Sequence, residues 1–251
     1  MDTPFQWTKQ VASHFGGTRN GLVISWPKQI KNTGEVCSQF HHVIDITPTI
    51  LEATGLTAPD SIDGITQEPM EGVSMAYTWE DHDAEPKRTT QYFEMFDNRA
   101  IYENGWVACT TPTTPPWVSV ADPVYVITGY SWELYNINED FSESNNLVEE
   151  NPEKLEELQR LFYIEAVKHD VLPLDNSKVE RLDVKNRPSL TEGRDTFTYY
   201  DAMVRIPDGS APDVKNKSFG ITAVVQIPED RAEGLLITQG GRFCGIGLYL
   251  L

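Results

Sequence analysis

The apolar residues near the start of the chain form two short runs separated by polar and glycine-rich sequence. Residues 21–27 (GLVISWP) are apolar, rich in β-branched side chains and closed by a proline, which predicts a buried strand. Residues 41–56 predict a short helix, with Thr47 as its cap, Pro48 in its first turn and Gly55 at its end. A strand followed by a helix is typical of an α/β layer.

The apolar pattern then shortens and predicts antiparallel strands. Three runs rich in aromatic and β-branched residues are separated by Asp97-Asn98 and by Asn104-Gly105, and Asn-Gly is a favoured hairpin turn. A fourth run follows after a longer connection. The predicted strands cover residues 89–96, 98–103, 106–111 and 132–137.

A helix is predicted to follow these strands. Asn151 is placed to cap it, Pro152 suits its first position, and the pattern continues to about His169. One apolar stripe runs along it at helical spacing. The stripe consists of Leu155, Leu158, Phe162 and Ala166. Four antiparallel strands and this helix together predict a small α+β subdomain.

The end of the chain is β-rich. Apolar runs at 219–227, 234–239 and 243–251 predict strands of a partial β-sandwich. The whole pattern divides the chain into four parts. These are the end of an α/β domain (1–56), an α+β subdomain (57–170), a polar linker (171–196) and a truncated β-rich extension (197–251).

Charge and cysteine content exclude several kinds of partner and site. The net charge is −18, which repels nucleic acid and anionic membrane surfaces, so neither is expected as a partner. No run approaches the roughly 18 apolar residues of a membrane span. The three cysteines, Cys37, Cys109 and Cys244, are widely spaced and follow no disulfide or metal-binding pattern. No metal ligand is therefore predicted in this chain.

Both ends of the sequence suggest a fragment. Met1 leads directly into a loop, and the last residues stop inside an apolar run that predicts a strand. An edge strand that ends on exposed apolar residues favours aggregation in a finished protein. We therefore expect polypeptide on either side of this chain.

The opening segment contains the one pattern that indicates binding chemistry. Lys9 precedes the pair Gly16-Gly17, and Arg19 follows it, on a chain that is otherwise strongly acidic. Glycines allow a sharp turn or a close approach to a ligand, and an ammonium group suits one oxygen of an oxyanion. The segment lacks the Gly-Lys-Ser/Thr ending of a P-loop. By physics alone, an anion site and a purely structural turn both remain open.

The same segment resembles a signature of the type I sulfatases. In residues 5–30 a lysine precedes a Gly-Gly-x-Arg turn and a run ending in Trp-Pro, as in that family. The run FHHVIDITPTILEATGL (40–56) resembles the family's next helix. Residues 91–108 and 132–147 resemble the C-terminal subdomain of bacterial arylsulfatases, and 214–243 resemble a β-rich tail of some of them.

The resemblance implies an α/β fold of the alkaline-phosphatase type and the hydrolysis of sulfate esters. In that family a cysteine of a Cys-x-Pro-x-Arg motif becomes formylglycine, which is the nucleophile, and Asp and Asn side chains bind calcium. This sequence contains no Cys-x-Pro-x-Arg motif. Calcium and formylglycine are therefore expected from the missing N-terminal part of the enzyme. That part and a small sulfate ester are the expected partners, and the chain alone is expected to be inactive.

The resemblance also gives roles to residues of the opening segment. Lys9 matches a catalytic lysine that binds sulfate. His14 either faces the substrate or packs beside the turn, and Arg19 braces the loop or contacts the substrate. Gly16 and Gly17 are expected to be conformational. A periplasmic or secreted location is expected for the parent enzyme.

Two other functions remain open from the sequence. One is a related phosphonate or phosphodiester hydrolase, which the unseen nucleophile would decide. The other is a non-catalytic module in which the β-rich tail binds carbohydrate.

Overall fold

The structure is a computed structural model of the 251-residue chain. It describes residues 3–30, 34–119, 129–182, 189–201, 203–229, 232–241 and 244–251. The chain divides into two compact units, residues 1–186 and 187–251.

The first unit contains three α-helices and six strands in its described part. The helices are α1 (Phe15–Thr18), α2 (Ile46–Thr54) and α3 (Pro152–Lys168). The strands are β1 (Ser61–Ile62), β2 (Ile65–Thr66), β3 (Thr90–Met95), β4 (Asn98–Glu103), β5 (Trp106–Thr110) and β6 (Trp132–Asn136). Of the helices that the structure describes, none is long and apolar enough to span a bilayer.

The predicted antiparallel sheet is confirmed. Strands β3, β4, β5 and β6 pair in sequence order, and β4 is buried along most of its length. Asn104 and Gly105 both have positive φ, 47° and 88°, as a tight hairpin of this kind requires. The preceding turn differs from the prediction, because Phe96 and Asp97 form it and Asn98 already pairs with Met95.

Helix α3 covers one face of this sheet. Leu158, Phe162 and Ala166 are fully buried. They form one apolar core with residues of β4, β5 and β6, which are Ile101, Ala108 and Leu134. The predicted apolar stripe is therefore confirmed, and Pro152 begins the helix as expected. Asn151 occupies the cap position, although its side chain makes no capping hydrogen bond.

The opposite face of the sheet packs against the opening segment of the chain. Phe15 lies in a second core cluster with Tyr102, Cys109 and Tyr135 of the sheet. Phe5 and Phe40 pack against the edge of this cluster. The glycine turn is thereby fixed on the subdomain through the side chain of Phe15.

Helix α2 begins at Ile46, before the residue that was predicted to cap it. Residues Val43–Asp45 form a 3₁₀ turn that leads into Ile46, so Thr47 lies inside the helix and the prediction of Thr47 as cap was wrong. Asp45 occupies the cap position of α2 instead. Its carboxylate accepts a hydrogen bond from the His42 N–H at 2.9 Å. Gly55 has φ 67° and ends the helix as expected.

The predicted strand at 21–27 was wrong. Residues 21–26 form no regular secondary structure and pair with no strand that the structure describes, and Val23 is 92% exposed. A strand requires a neighbour for its backbone hydrogen bonds, and the described residues offer none here.

The second unit contains one hairpin in its described part. Strands β7 (Gly234–Gly240) and β8 (Gly245–Leu250) pair antiparallel, which confirms two of the predicted tail strands. Phe243, at the start of the predicted last strand, lies outside the described residues. The strand predicted at 219–227 was wrong, because this segment is exposed coil that pairs with no described strand.

Candidate functional site

Lys9 lies exposed in a loop whose backbone is unusual on both sides of it. Trp7 has φ 62° and Gln10 has φ 76°, so two residues with side chains adopt the left-handed conformation. For such residues this conformation costs on the order of 1–3 kcal/mol and persists only where the surroundings impose it. The loop around Lys9 is therefore held in a defined shape.

The glycine pair makes that shape possible because its backbone packs directly against the backbone of the Lys9 loop. The Gly16 N–H donates to the Gln6 carbonyl oxygen at 3.0 Å. A Cβ atom on Gly16 would lie 2.2 Å from the carbonyl oxygens of Gln6 and Trp7, and one on Gly17 would lie 1.8 Å from that of Val11. Any side chain at either position would displace the backbone of the Lys9 loop.

His14 lies in the interior, between the glycine turn and the sheet. Its Nδ1 is 2.9 Å from the Ser13 Oγ, and its Nε2 is 3.0 Å from the Glu133 Oε2. The residue is 1% exposed. Of the two roles predicted for His14, this position favours packing beside the turn over direct substrate contact.

Glu133 on β6 is the acidic partner of His14. Its carboxylate also accepts hydrogen bonds from the hydroxyl groups of Thr111 and Tyr135. Burial alone would raise the pKa of Glu133, but the hydrogen bonds from His14, Thr111 and Tyr135 lower it to about 2. Glu133 is therefore an ionised carboxylate in a fixed orientation.

Glu143 provides a second buried carboxyl group at the turn. Its Oε2 accepts the Phe15 N–H at 2.9 Å, and its backbone carbonyl accepts a hydrogen bond from the Gln6 side chain. Its Oε1 is buried and has no hydrogen-bond partner among the described residues. Burial raises the pKa of Glu143 to about 7, against the opposing effect of the Phe15 N–H.

Cys109 on β5 completes this group of buried polar side chains. Its Sγ lies 3.7 Å from the His14 Nε2. Burial, followed by the charges of Glu143 and Glu133, raises the pKa of the Cys109 thiol well above its usual value. The thiol is therefore protonated at neutral pH and unsuited to act as a nucleophile.

Arg19 contacts the aromatic side chains around the turn. Its guanidinium lies over the rings of Phe5, Phe15 and Phe141, at 5.0, 5.6 and 5.7 Å from their centroids. A cation over aromatic faces is attracted by their quadrupoles. These contacts tie the residue after the glycine pair to the aromatic cluster beneath it.

Glu133, Glu143 and Cys109 were missed by sequence reasoning. His14 and Glu133 are separated by 119 positions, and Phe15 and Glu143 by 128. No local motif links such residues, and only the pairing of the sheet with the opening segment brings them together. The resemblance of residues 132–147 to a sulfatase subdomain was the only signal in that region.

The grouped donors do not fit calcium. Calcium takes six to eight oxygen ligands, whereas the one group of potential metal ligands found among the described residues is His14, Cys109 and Glu133. The formylglycine motif is absent from the sequence as well. Neither calcium nor formylglycine is therefore assigned to residues of this chain.

Known proteins resemble this chain in sequence and in fold. A family model described as N-sulphoglucosamine sulphohydrolase, C-terminal, matches residues 9–165. The crystal structure of Ps i-CgsB matches with a TM-score of 0.51 and 18% identity, over 72% of this chain and 36% of that one. At this identity the match shows a shared fold.

Two further solved structures match more weakly. A Bacteroides thetaiotaomicron protein from a locus for the metabolism of multiple glycosaminoglycans has a TM-score of 0.42 and 20% identity, over 63% of this chain and 31% of that one. BT4656, in complex with its substrate D-glucosamine-2-N,6-O-disulfate, has a TM-score of 0.43 and 19% identity, over 61% and 29%. The chain spans about a third of the length of each of the three solved relatives.

Proposed function

We propose that this chain, which belongs to the N-sulphoglucosamine sulphohydrolase C-terminal family of sulfatases, is the C-terminal portion of an arylsulfatase-type sulfuric ester hydrolase. In this proposal Lys9 binds an oxygen of the sulfate group. The observation that carries it is the exposed ammonium of Lys9 on a loop held by left-handed residues and by a glycine pair. The family match includes Lys9 as its first residue.

The role of Lys9 is electrostatic. Its positive charge offsets negative charge that develops on the sulfuryl oxygens and on the leaving oxygen. The contacts of His14, Phe15 and Arg19 anchor the glycine turn on the sheet, and so fix the position of Lys9. A positioned donor of this kind stabilises a transition state by roughly 2.7–4 kcal/mol.

The nucleophile and the calcium ion come from an N-terminal portion of the enzyme in this proposal. Support comes from an exposed apolar surface on the first unit, where Leu22, Val23 and Ile24 lie 53%, 92% and 41% exposed. Leu22 and Ile24, together with Ile50, Met75 and Trp79, border an apolar groove beside α2. Large exposed apolar patches mark surfaces that bind another protein, a membrane or a ligand, and this proposal assigns the patch to the N-terminal portion. The chain alone is inactive in this proposal, and the enzyme is periplasmic or secreted.

The test of this proposal uses the complete enzyme and 4-nitrophenyl sulfate. Lys9→Ala is expected to lower kcat/KM by about 100-fold or more, since one transition-state contact is removed. Lys168→Ala, which removes an exposed lysine of α3 paired with Glu165, serves as the matched control. Activity of Lys9→Ala near that of the wild type would overturn the assignment.

Two further assays separate the alternatives. The purified 251-residue chain is expected to release no nitrophenol, and metal-dependent release by the chain alone would contradict the need for an N-terminal portion. The complete enzyme is also assayed with bis(4-nitrophenyl) phosphate. A higher kcat/KM for the phosphodiester than for the sulfate ester would favour the related phosphodiester hydrolase.

A further inference from the structure

Three side chains with different donor atoms meet beneath the glycine turn. His14 offers a ring nitrogen, Cys109 a sulfur and Glu133 a carboxylate oxygen, and these atoms all lie within 4.8 Å of one another. His14 and Cys109 are buried and Glu133 is partly buried. The residues come from the opening segment, β5 and β6 respectively, so the group joins three separate parts of the first unit.

The spacing of these atoms suits a tetrahedral zinc ion. Zinc binds nitrogen and oxygen at about 2.0–2.2 Å and thiolate sulfur at about 2.3 Å, so neighbouring donors lie roughly 3.3–3.6 Å apart. The His14 Nε2 is 3.0 Å from the Glu133 Oε2 and 3.7 Å from the Cys109 Sγ. Both separations are within a few tenths of an ångström of those that an ion requires.

Surrounding residues already orient the donors. The Ser13 Oγ lies 2.9 Å from the His14 Nδ1 and can accept a hydrogen bond from it. In that tautomer the ion takes the place of the proton that His14 Nε2 otherwise shares with Glu133 Oε2. Thr111 and Tyr135 hold the Glu133 carboxylate. Hydrogen bonds to the second polar atom of a ligand, as Ser13 makes to His14 and Thr111 to Glu133, are typical of metal sites and set ligand orientation.

An unpaired carboxylate oxygen provides a second, independent observation. The Oε1 of Glu143 is buried with no hydrogen-bond partner among the described residues, and Glu143 is 0% exposed. The other oxygen of this carboxyl group binds the N–H of Phe15, the residue after His14, so a second acidic group lies near the three donors. A cation would offset this excess of acidic groups, since a buried polar atom without a partner is costly.

We propose that His14, Cys109 and Glu133 form a binding site for one zinc-type divalent cation, with Glu143 beside it. Nitrogen and sulfur donors favour zinc over calcium or magnesium. On binding, the Cys109 thiol releases its proton to solvent and the thiolate bonds to the metal. The ion ties the glycine turn to β5 and β6, and so supports the Lys9 loop. The site is independent of the sulfate-ester proposal and needs no substrate.

Cobalt and zinc are the probes that test this site. The 251-residue chain carrying Cys37→Ser and Cys244→Ser, which removes the two exposed thiols, serves as the parent protein after dialysis against chelator. Co²⁺ is expected to give a cobalt–thiolate absorption band, and Zn²⁺ to bleach it at one equivalent. Cys109→Ala is expected to abolish the band, and Thr111→Val to weaken Zn²⁺ binding roughly 10- to 100-fold.

A second measurement keeps the test valid if a variant fails to fold. X-ray absorption of the zinc-loaded parent protein is expected to show one sulfur at about 2.3 Å together with nitrogen and oxygen ligands. A zinc shell without sulfur would overturn the proposal. So would the absence of stoichiometric Co²⁺ and Zn²⁺ binding, or binding that persists unchanged in a folded Cys109→Ala variant.

Discussion

The Arg88 guanidinium donates to the Asp45 carboxylate in the interior of the first unit, with Arg88 Nε 2.9 Å from Asp45 Oδ2. The same carboxylate accepts from His41 Nδ1 at 3.0 Å and from the Val73 N–H at 2.8 Å. Burial opposes ionisation, but these bonds and the Arg88 contact lower the pKa of Asp45 to about 2. One carboxylate thus joins the start of α2 to the segment before β3.

We expect Asp45→Asn to destabilise the first unit strongly. Asp45 is 0% exposed and Arg88 is 7% exposed, so the substitution leaves a buried guanidinium without its counter-charge. Breaking a buried pair in this way costs about 3–5 kcal/mol. Urea unfolding followed by tryptophan fluorescence measures the loss. The surface pair of Asp175 with Arg181 is the control, and Asp175→Asn is expected to cost less than about 1 kcal/mol.

The same carboxylate predicts sensitivity to acid. The folded-state pKa of about 2 lies below the ordinary value of 3.8, so ionised Asp45 stabilises the fold above pH 4 and this contribution is lost as the pH falls towards 2. The contribution at neutral pH is about 2 kcal/mol. Unfolding free energies measured between pH 6 and 2 should fall less steeply for Asp45→Asn than for the wild type. Parallel curves would contradict the shifted pKa.

We expect Gly17→Ala to disrupt the Lys9 loop. Its new Cβ atom would lie 1.8 Å from the Val11 carbonyl oxygen, which belongs to the backbone and cannot rotate away. In the complete enzyme this should lower kcat/KM for 4-nitrophenyl sulfate at least tenfold. Gly21→Ala is the matched control, because a Cβ atom there meets nothing within 4 Å. Equal activity of the two variants would show that the close approach is unimportant.

Helix α3 should depend on its buried stripe and not on its exposed face. Phe162→Ala removes a fully buried ring from the core beneath the helix and is expected to cost about 3–5 kcal/mol. Val167 on the same helix is 66% exposed, and Val167→Ala is expected to change stability by no more than about 0.5 kcal/mol. Urea unfolding of both variants gives the comparison. A similar loss in both would contradict the packing described.

Local patterns predicted the elements that depend on local chemistry. The hairpin at Asn104-Gly105 and the start of α3 at Pro152 follow from turn and helix preferences of a few adjacent residues. The segments 21–27 and 219–227 are apolar, as strands often are. A strand also needs a neighbouring strand to pair with, and the sequence of one segment does not specify that neighbour. Both predictions failed for that reason.

The candidate site was predictable only where a motif is contiguous. Lys9 and the glycine pair lie within one short segment, and their resemblance to a sulfatase signature identified them. Glu133 and Glu143 contribute to the same region through long-range packing, so no contiguous motif identified them. The position of His14 between the turn and β6 likewise depends on tertiary structure and not on its neighbours in the chain.

Asp97 lies in the turn before β4, and its carboxyl group should make the protein less stable as the pH rises towards 7. It is 0% exposed, with its Oδ1 3.4 Å from the Arg99 Nε. Burial outweighs the attraction of Arg99 and raises the pKa of Asp97 to about 7, above the ordinary value of 3.8. The folded state therefore holds a proton that the unfolded state releases between pH 4 and 7, so stability falls as the pH rises through this range.

The variant Asp97→Asn cannot titrate and should lack this slope. The unfolding free energy of the variant minus that of the wild type is expected to be larger at pH 7.5 than at pH 4.5, by no more than about 4 kcal/mol. Urea unfolding of both proteins at both pH values measures how the stability difference between variant and wild type changes with pH. Glu156→Gln on α3, which alters a highly exposed pair with Arg160, should show almost none. If the effect of Asp97→Asn were the same at both pH values, the Asp97 carboxyl would be ionised throughout, and Arg99 would then dominate over burial.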